Sequence, residues 1–268
     1  MSFNIRYGTA NDGDDSWPNR SALAIGVIRH HTPDVLGVQE ALRFQLDEMR
    51  SALPEYEELG VGRDDGETAG EYAAILYRSD RFEVEQSGTF WLSNTPSVAG
   101  SMSWGNRITR ICTWARLARL DTTERFYVFN LHLDHQSQTS RERSVELLAQ
   151  RIATRATTDP IIVLGDFNAG EENPAIRFLT GAVDQLTAEG EAIPRSPQLK
   201  DTYRAMHSAP TEVGTFNAFR GEAGGEQIDW ILVSSEWEVL EAAIVRTNID
   251  GQYPSDHFPV TALIRLKE

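Results

Sequence analysis

The chain has 268 residues, 40% of them hydrophobic, which allows a sizeable core, and at this length a single domain over residues 1–268 is expected. Its formal net charge is −15 and its only lysines are Lys200 and Lys267, which disfavours long nucleic acid, held as it is by many Lys and Arg contacts, and suits a small or short ligand. No apolar run approaches the ~20 residues of a membrane span, and a lone cysteine, Cys112, excludes an internal disulfide and a Cys-based zinc site.

Met1 leads straight into Phe3, Ile5 and Tyr7, which alternate with Asn4 and Arg6 as in a strand. No signal-peptide pattern precedes them, so a cytoplasmic location is expected; a monomer is expected as well. Residues 21–31 place Leu23, Val27 and Ile28 on one side of a helix. A strand follows at 34–38, then Leu42, Leu46, Met49 and Leu53 recur at helical spacing. Strands are predicted at 72–77, 110–120 and 126–131, with Cys112 as a buried core thiol. Thr139-Ser140-Arg141-Glu142 fits a capping box opening a helix whose buried face is Val145, Leu148, Ile152 and Ala156. The continuous apolar run Ile161 to Leu164 suits a strand covered on both faces. Strands at 228–233, 239–246 and 259–266 complete the chain. Roughly ten strands with three or four helices fit two packed sheets with helices outside better than a doubly wound sheet. Loops around 62–70, 93–106, 187–200 and 208–226 are the places for substrate specificity. Trp17 and Trp104 read as loop anchors, and Asp12, Asp14 and Asp15 as a solvated acidic loop.

Polar residues recur where these strands end or begin. Val38 leads into Gln39-Glu40, Phe129 into Asn130-Leu131-His132, and Leu164 into Gly165-Asp166-Phe167-Asn168. Asp229 opens another strand, and Ser255-Asp256-His257 precedes the last. One Asp or Asn after a strand is ordinarily a turn residue; five such sites are not. Phosphoester hydrolysis must bring negative charge up to a negative phosphate, which a hard divalent cation with oxygen ligands makes possible. Glu40, Asp256 and the Asn4 side-chain oxygen are candidate ligands for Mg²⁺ or Mn²⁺. Asp166 and Asn168 suit positioning of a water or a phosphate oxygen, and a carboxylate-oriented His suits acid–base work.

With these motifs assembled, the chain resembles the endonuclease/exonuclease/phosphatase superfamily, whose members include DNase I-like nucleases, abasic-site endonucleases, inositol polyphosphate 5-phosphatases and nocturnin-like enzymes. The resemblance spans the chain and keeps the family's motif order: Asn4, Gln39-Glu40, Asn130-x-His132, Gly165 to Asn168, Ile228-Asp229-x-Ile231 and Ser255 to His257. It implies an α/β fold, a four-layer α/β sandwich with the site at one mouth. It further implies Glu40 as principal metal ligand with Asn4 and Asp256 nearby, Asp166 and Asn168 orienting water and phosphate, and Asp229 holding His257. His132 falls on the leaving-group side, and Glu71 matches the position that pairs with it in DNase I-like members. The segment from Trp104 to Trp114 looks like nocturnin-like and uncharacterised bacterial members. There Arg110 is either a phosphate contact, with Asn106 and Asn130 also placed toward substrate, or a surface strand residue in an ion pair.

Three functions follow from this reading. The leading one is a divalent-metal-dependent phosphodiesterase. The alternative is a phosphomonoesterase acting on a small nucleotide, sugar or inositol phosphate, which the charge balance favours over a processive nuclease. The third is a binding protein that kept the fold without the chemistry, disfavoured because every motif residue is present.

Overall fold

A computed structural model describes residues 1–186, 196–209 and 211–267. Sheet A runs in the order β11-β12-β1-β2-β4-β3. Its strands are β1 (Ser2–Asn4), β2 (Val35–Ala41), β3 (Tyr56–Leu59), β4 (Tyr72–Arg78), β11 (Trp237–Ile244) and β12 (Val260–Leu266). Sheet B runs β5-β6-β7-β8-β10-β9. Its strands are β5 (Phe82–Trp91), β6 (Ile111–Arg119), β7 (Arg125–His132), β8 (Ile161–Asp166), β9 (Lys200–Asp201) and β10 (Asp229–Val233). Each sheet has one parallel pair, β1 with β2 and β7 with β8; the other pairings are antiparallel. Helices α1 (Trp17–His31) and α2 (Arg43–Ala52) cover sheet A, while α3 (Gln138–Ala153) and α4 (Pro174–Leu179) cover sheet B. A short α5 (Thr202–Met206) lies against β10 and β11. This is the four-layer α/β sandwich.

Period-two alternation builds the three apolar layers. In β8, Ile161 and Val163 face α3 and α4, whereas Ile162 and Leu164 face the other sheet. In β4, Tyr72, Ala74 and Leu76 face the α1–α2 side, and Ile75 and Tyr77 face inward. Gly37 of β2 faces Leu164 and Asn130 of the other sheet at close range. A Cβ there would stand 2.0 Å from Leu164 Cδ1 and 2.8 Å from Asn130 Cγ, so no larger residue fits without separating the sheets.

Several sequence expectations move. Helix α1 begins at Trp17, four residues before the predicted start, behind Ser16 and with Pro18 in the first turn, where its missing N–H costs nothing. Trp17 is therefore a buried helix residue whose Nε1 donates to Glu48 at 2.7 Å. The cap of α3 is Ser137, whose side chain accepts from Ser140 N, not the Thr139 box; the helix ends at Ala153 and Ala156 is exposed beyond it. Asp12 is not a solvated loop acid, because Arg6 donates to both its carboxylate oxygens at 3.1 and 3.0 Å. Trp104 does anchor its loop, donating to Asn94 at 2.7 Å. Cys112 is fully buried. The loop expected at 187–200 lies, over 187–195, outside the described residues.

Asp201 caps α5, accepting from Tyr203 and Arg204 backbone N–H at 2.9 and 3.2 Å. Burial pushes its pKa up from 3.8 to about 6. A carboxylate raised on folding weakens the fold above the raised value and leaves it unaffected below the ordinary one, so the penalty develops between pH 4 and 6. Two pK units correspond to on the order of 3 kcal/mol. Asp201→Asn keeps a capping acceptor and is expected to raise the melting temperature by a few degrees at pH 8 but not at pH 4. Thermal melts at the two pH values test this; equal melting temperatures at pH 8 would reject it.

Candidate active site

Both parallel pairs end at the same mouth, and the antiparallel strands beside them begin there. The C-terminal ends of β1, β2, β7 and β8 bring Asn4, Glu40, His132 and Asp166 together, and the start of β10 and the approach to β12 add Asp229 and His257. Register fixes the grouping: His132 pairs with Asp166, Asp166 with Asp229, and Asn4 with Gln39. One ligand atom each of Glu40, His132 and Asp166 lie within 4.8 Å of one another, as do those of Asp166, Asp229 and His257. Asp166 belongs to both groups.

Strand alternation alone would turn Glu40 to the helix-covered face with Val38. A bulge between Gln39 and Ala41 interrupts the β2–β4 ladder, and Glu40 takes a left-handed φ of 63°. Bulges commonly re-aim a side chain beside a site, and here the bulge sends the carboxylate to the mouth. Asn4 Nδ2 then donates to Glu40 Oε1 at 3.0 Å and to Asp166 Oδ2 at 2.9 Å, and Tyr7 N donates to Glu40 Oε2 at 3.2 Å. Asn168, at φ 47°, donates its N–H to Asp166 Oδ1 at 2.9 Å and its amide to the Leu133 carbonyl at 3.1 Å.

The titratable groups are driven apart. Burial, reinforced by Asp229, raises Asp166 from 3.8 to about 7. Burial holds His132 well below its ordinary value, helped by the charges of Arg110 and Arg63, so it is a neutral imidazole. Burial opposes a charge on His257 too, but Asp229, bonded to Nδ1 at 2.8 Å, outweighs it and lifts His257 well above 6.5. His257 Nε2 is left facing the mouth, 3.9 Å from Asp166 Oδ2, with the Phe216 ring edge-on at 5.3 Å. One neutral and one charged imidazole therefore flank a single carboxylate, an arrangement suited to dividing acid and base roles.

Glu40 and Asp166 converge, and among the described residues neither has an Arg or Lys ion-pair partner. Burial and the neighbouring Asp229 charge raise Asp166, even with the His257 imidazole beside it. Two carboxylates with one neutral imidazole form a largely oxygen donor set that could hold a hard divalent ion.

Other residues stand differently from the sequence reading. Asn4 spends its oxygen on Arg6 N at 3.0 Å, so it bridges two carboxylates through its amide nitrogen instead of offering an oxygen. Asp256 lies outside both clusters, with its Oδ2 3.7 Å from Arg6 Nε and its Oδ1 accepting from Ser255 Oγ. Glu71 does not reach His132. Arg63 holds it through two bonds of 2.6 and 2.8 Å, while the nearest carboxylate contact of His132 is Asp166, at 3.5 Å from Nε2. Asn130 is wholly buried between the sheets: its amide donates to the Val38 and Ala74 carbonyls and its oxygen accepts from Gln39, so its side chain fastens the sheets together. Asn106 is likewise consumed by its own loop, bonding Ser103 N and the Ile108 carbonyl.

Arg110 is 4% exposed, which removes the surface reading. Its Nη2 lies 2.9 Å from His135 Nδ1 and its Nε 3.7 Å from Asp134, yet Nε has no hydrogen-bond acceptor. Arg63, which the sequence reading missed, also buries an Nε without an acceptor, and the two arginines line one small recess with His132. Arg20 was missed as well. It is fully buried and donates only to backbone carbonyls, those of Ile5, Arg6, Asp15 and Pro254, which ties the end of β1 to the loop carrying Asp256 and His257. Position along a helix does not reveal such an arginine, because its partners are carbonyls far away in sequence.

A model of the endonuclease/exonuclease/phosphatase family matches residues 1–257. The chain belongs to that family. A Bacteroides vulgatus endonuclease/exonuclease/phosphatase is 34% identical, with a TM-score of 0.87 over 99% of this chain and 97% of that one. A mannosyl-6-phosphatase from Bacteroides thetaiotaomicron is 32% identical, with a TM-score of 0.85 over 99% of this chain and 98% of that one. An uncharacterised protein of Acanthamoeba polyphaga mimivirus is 27% identical over 164 residues, covering 58% of this chain and 60% of the viral one. The family assignment agrees with the resemblance read from the sequence, and no helix of the described residues is long and apolar enough to cross a membrane.

Proposed function

We propose that this protein is a Mg²⁺- or Mn²⁺-dependent phosphoester hydrolase whose preferred substrate is a small phosphomonoester. The observation that carries the reading is the placement of His132 between two opposite charge fields. On one side stand Glu40 and Asp166; on the other stand the buried guanidinium groups of Arg110, near Asp134, and Arg63, held by Glu71. A monoester dianion carries one more negative oxygen than a diester, and Arg110, whose Nε has no acceptor, is the cation beside His132 suited to that oxygen, Arg63 being held by Glu71. The similarity to a mannosyl-6-phosphatase supports the same choice over the diester favoured by the complete acid, amide and His set.

Glu40, Asp166 and His132 would hold the metal, which when bound stabilises charge on the phosphoryl oxygens. Asn4 and Asn168 keep the Asp166 carboxylate oriented toward the metal and the attacking water. His257, kept as an imidazolium by Asp229, donates from Nε2 to a phosphoryl oxygen. Arg110 meets the phosphate on the His132 side, while the Arg63–Glu71 pair shapes the recess beside it.

The test is one panel with Mg²⁺ or Mn²⁺: mannose 6-phosphate, p-nitrophenyl phosphate, bis-p-nitrophenyl phosphate, plasmid DNA and a short oligonucleotide. The monoesters are expected to turn over at least about tenfold faster than the diesters, and chelator to abolish turnover. Faster cutting of diester or DNA would overturn the monoester reading, and full activity in chelator would overturn the metal.

A further inference from the structure

We infer a second ligand site on the outer face of sheet B, one that takes a small planar aromatic anion. Phe90 on β5, Trp114 on β6, and Tyr127 and Phe129 on β7 line a cleft of about 230 Å³ there, closed on one side by Arg151 and Arg155 near the end of α3. It is separate from the hydrolytic site. Tyr127 and Phe129 point to the opposite face of β7 from Asn130 and His132, and Tyr127 lies five residues, or roughly 17 Å of strand, before His132.

The walls are arranged for a flat ring. Tyr127 and Phe129 lie nearly parallel, 20° apart with centroids 6.2 Å apart, and Trp114 tilts 34° from Tyr127 at the same centroid distance. Gly88 pairs with Trp114 across the strands and leaves room for the indole; a Cβ there would come within 3.1 Å of Nε1. A cavity of roughly 150 Å³ admits benzene, so this one has room for one ring or a fused pair.

Its charge selects the rest. Arg151 lies over the Phe90 ring at 5.3 Å and Arg155 over Tyr127 at 5.9 Å. Among the described residues neither has a carboxylate partner, in a chain with 40 acidic and 25 basic residues where most arginines are ion-paired. Arg116, on the same face two residues beyond Trp114, already takes Glu85 and Asp159. Arg155 bonds only backbone carbonyls and buries an Nε with no acceptor. An aromatic carboxylate satisfies both features at once, its ring among the aromatic side chains and its oxygens at the guanidinium groups.

The experiment uses 1-naphthoate as probe and 1-naphthalenemethanol as its uncharged counterpart, followed by calorimetry and tryptophan fluorescence on the full chain. Naphthoate is expected to bind saturably and at least about tenfold more tightly than the alcohol. Arg151→Gln, at an exposed position, is expected to weaken naphthoate about tenfold with phosphoester turnover and melting temperature unchanged; Trp114→Leu should abolish it. Equal affinity for acid and alcohol would overturn the anion site, as would naphthoate binding that ignores Arg151→Gln. Absence of saturable binding would overturn it outright.

Discussion

Glu40→Gln is expected to lower kcat/KM for the best phosphoester by about a thousandfold or more while leaving the fold intact. Glu40 is half-exposed at the mouth and supports no apolar layer, so the loss is chemical. Asn4 and Tyr7 now donate to its two oxygens at 3.0 and 3.2 Å. Gln keeps one acceptor, turns an NH₂ toward a donor and removes the charge that balances a divalent cation. Two assays separate the possibilities: far-UV circular dichroism should match the parent, and a Mn²⁺ titration should show affinity weakened by at least an order of magnitude. Turnover within tenfold of the parent at saturating metal would remove Glu40 from the centre.

The second large effect lies on the other side of Asp166. His257→Ala and Asp229→Asn are each expected to cost about 10³- to 10⁴-fold in kcat. Asp229 Oδ2 accepts from His257 Nδ1, and its other oxygen is buried with no hydrogen-bond partner, so its charge bears mainly on that imidazole and on Asp166. Asn at 229 preserves shape but withdraws what keeps His257 protonated against its burial. Its kinetic penalty should therefore approach that of removing the ring, with KM changed little. If Asp229→Asn keeps more than about a tenth of parental kcat, the pair is structural and the proposed role of His257 fails.

Much of this centre could be read from the chain because its residues sit at strand ends, where period-two alternation stops and a polar residue has a reason to be. The convergence of Glu40, Asp166, Asp229, His132 and His257 on one mouth follows from this position. Asn130 was misread for a definable reason. It shares a face with His132 but sits two residues, roughly 7 Å, deeper, between the sheets instead of at the mouth. The Glu71 expectation failed because a pairing across the mouth depends on a competing partner, Arg63, in a loop whose path has no sequence period. The edge strand β5 escaped notice since a bulge between Val84 and Gln86 breaks its alternation and Gly88 interrupts it. The start of α1 did carry a signal, Pro18 just inside the helix, that apolar spacing alone overlooks. The positive φ of Glu40 has no sequence signature at all, since glutamate does not ordinarily occupy that region.

The seam between the sheets has one more implication. Sheet A supplies Asn4, Glu40 and His257, and sheet B supplies His132, Asp166 and Asp229, with Asn130 and Gln39 as the rivet beneath them. Neither half owns a reduced version of the centre. The full set of side chains meets only when the sheets dock, bringing together residues as distant in sequence as Asn4 and Asp166. An intermediate with one sheet complete would carry only half of these side chains.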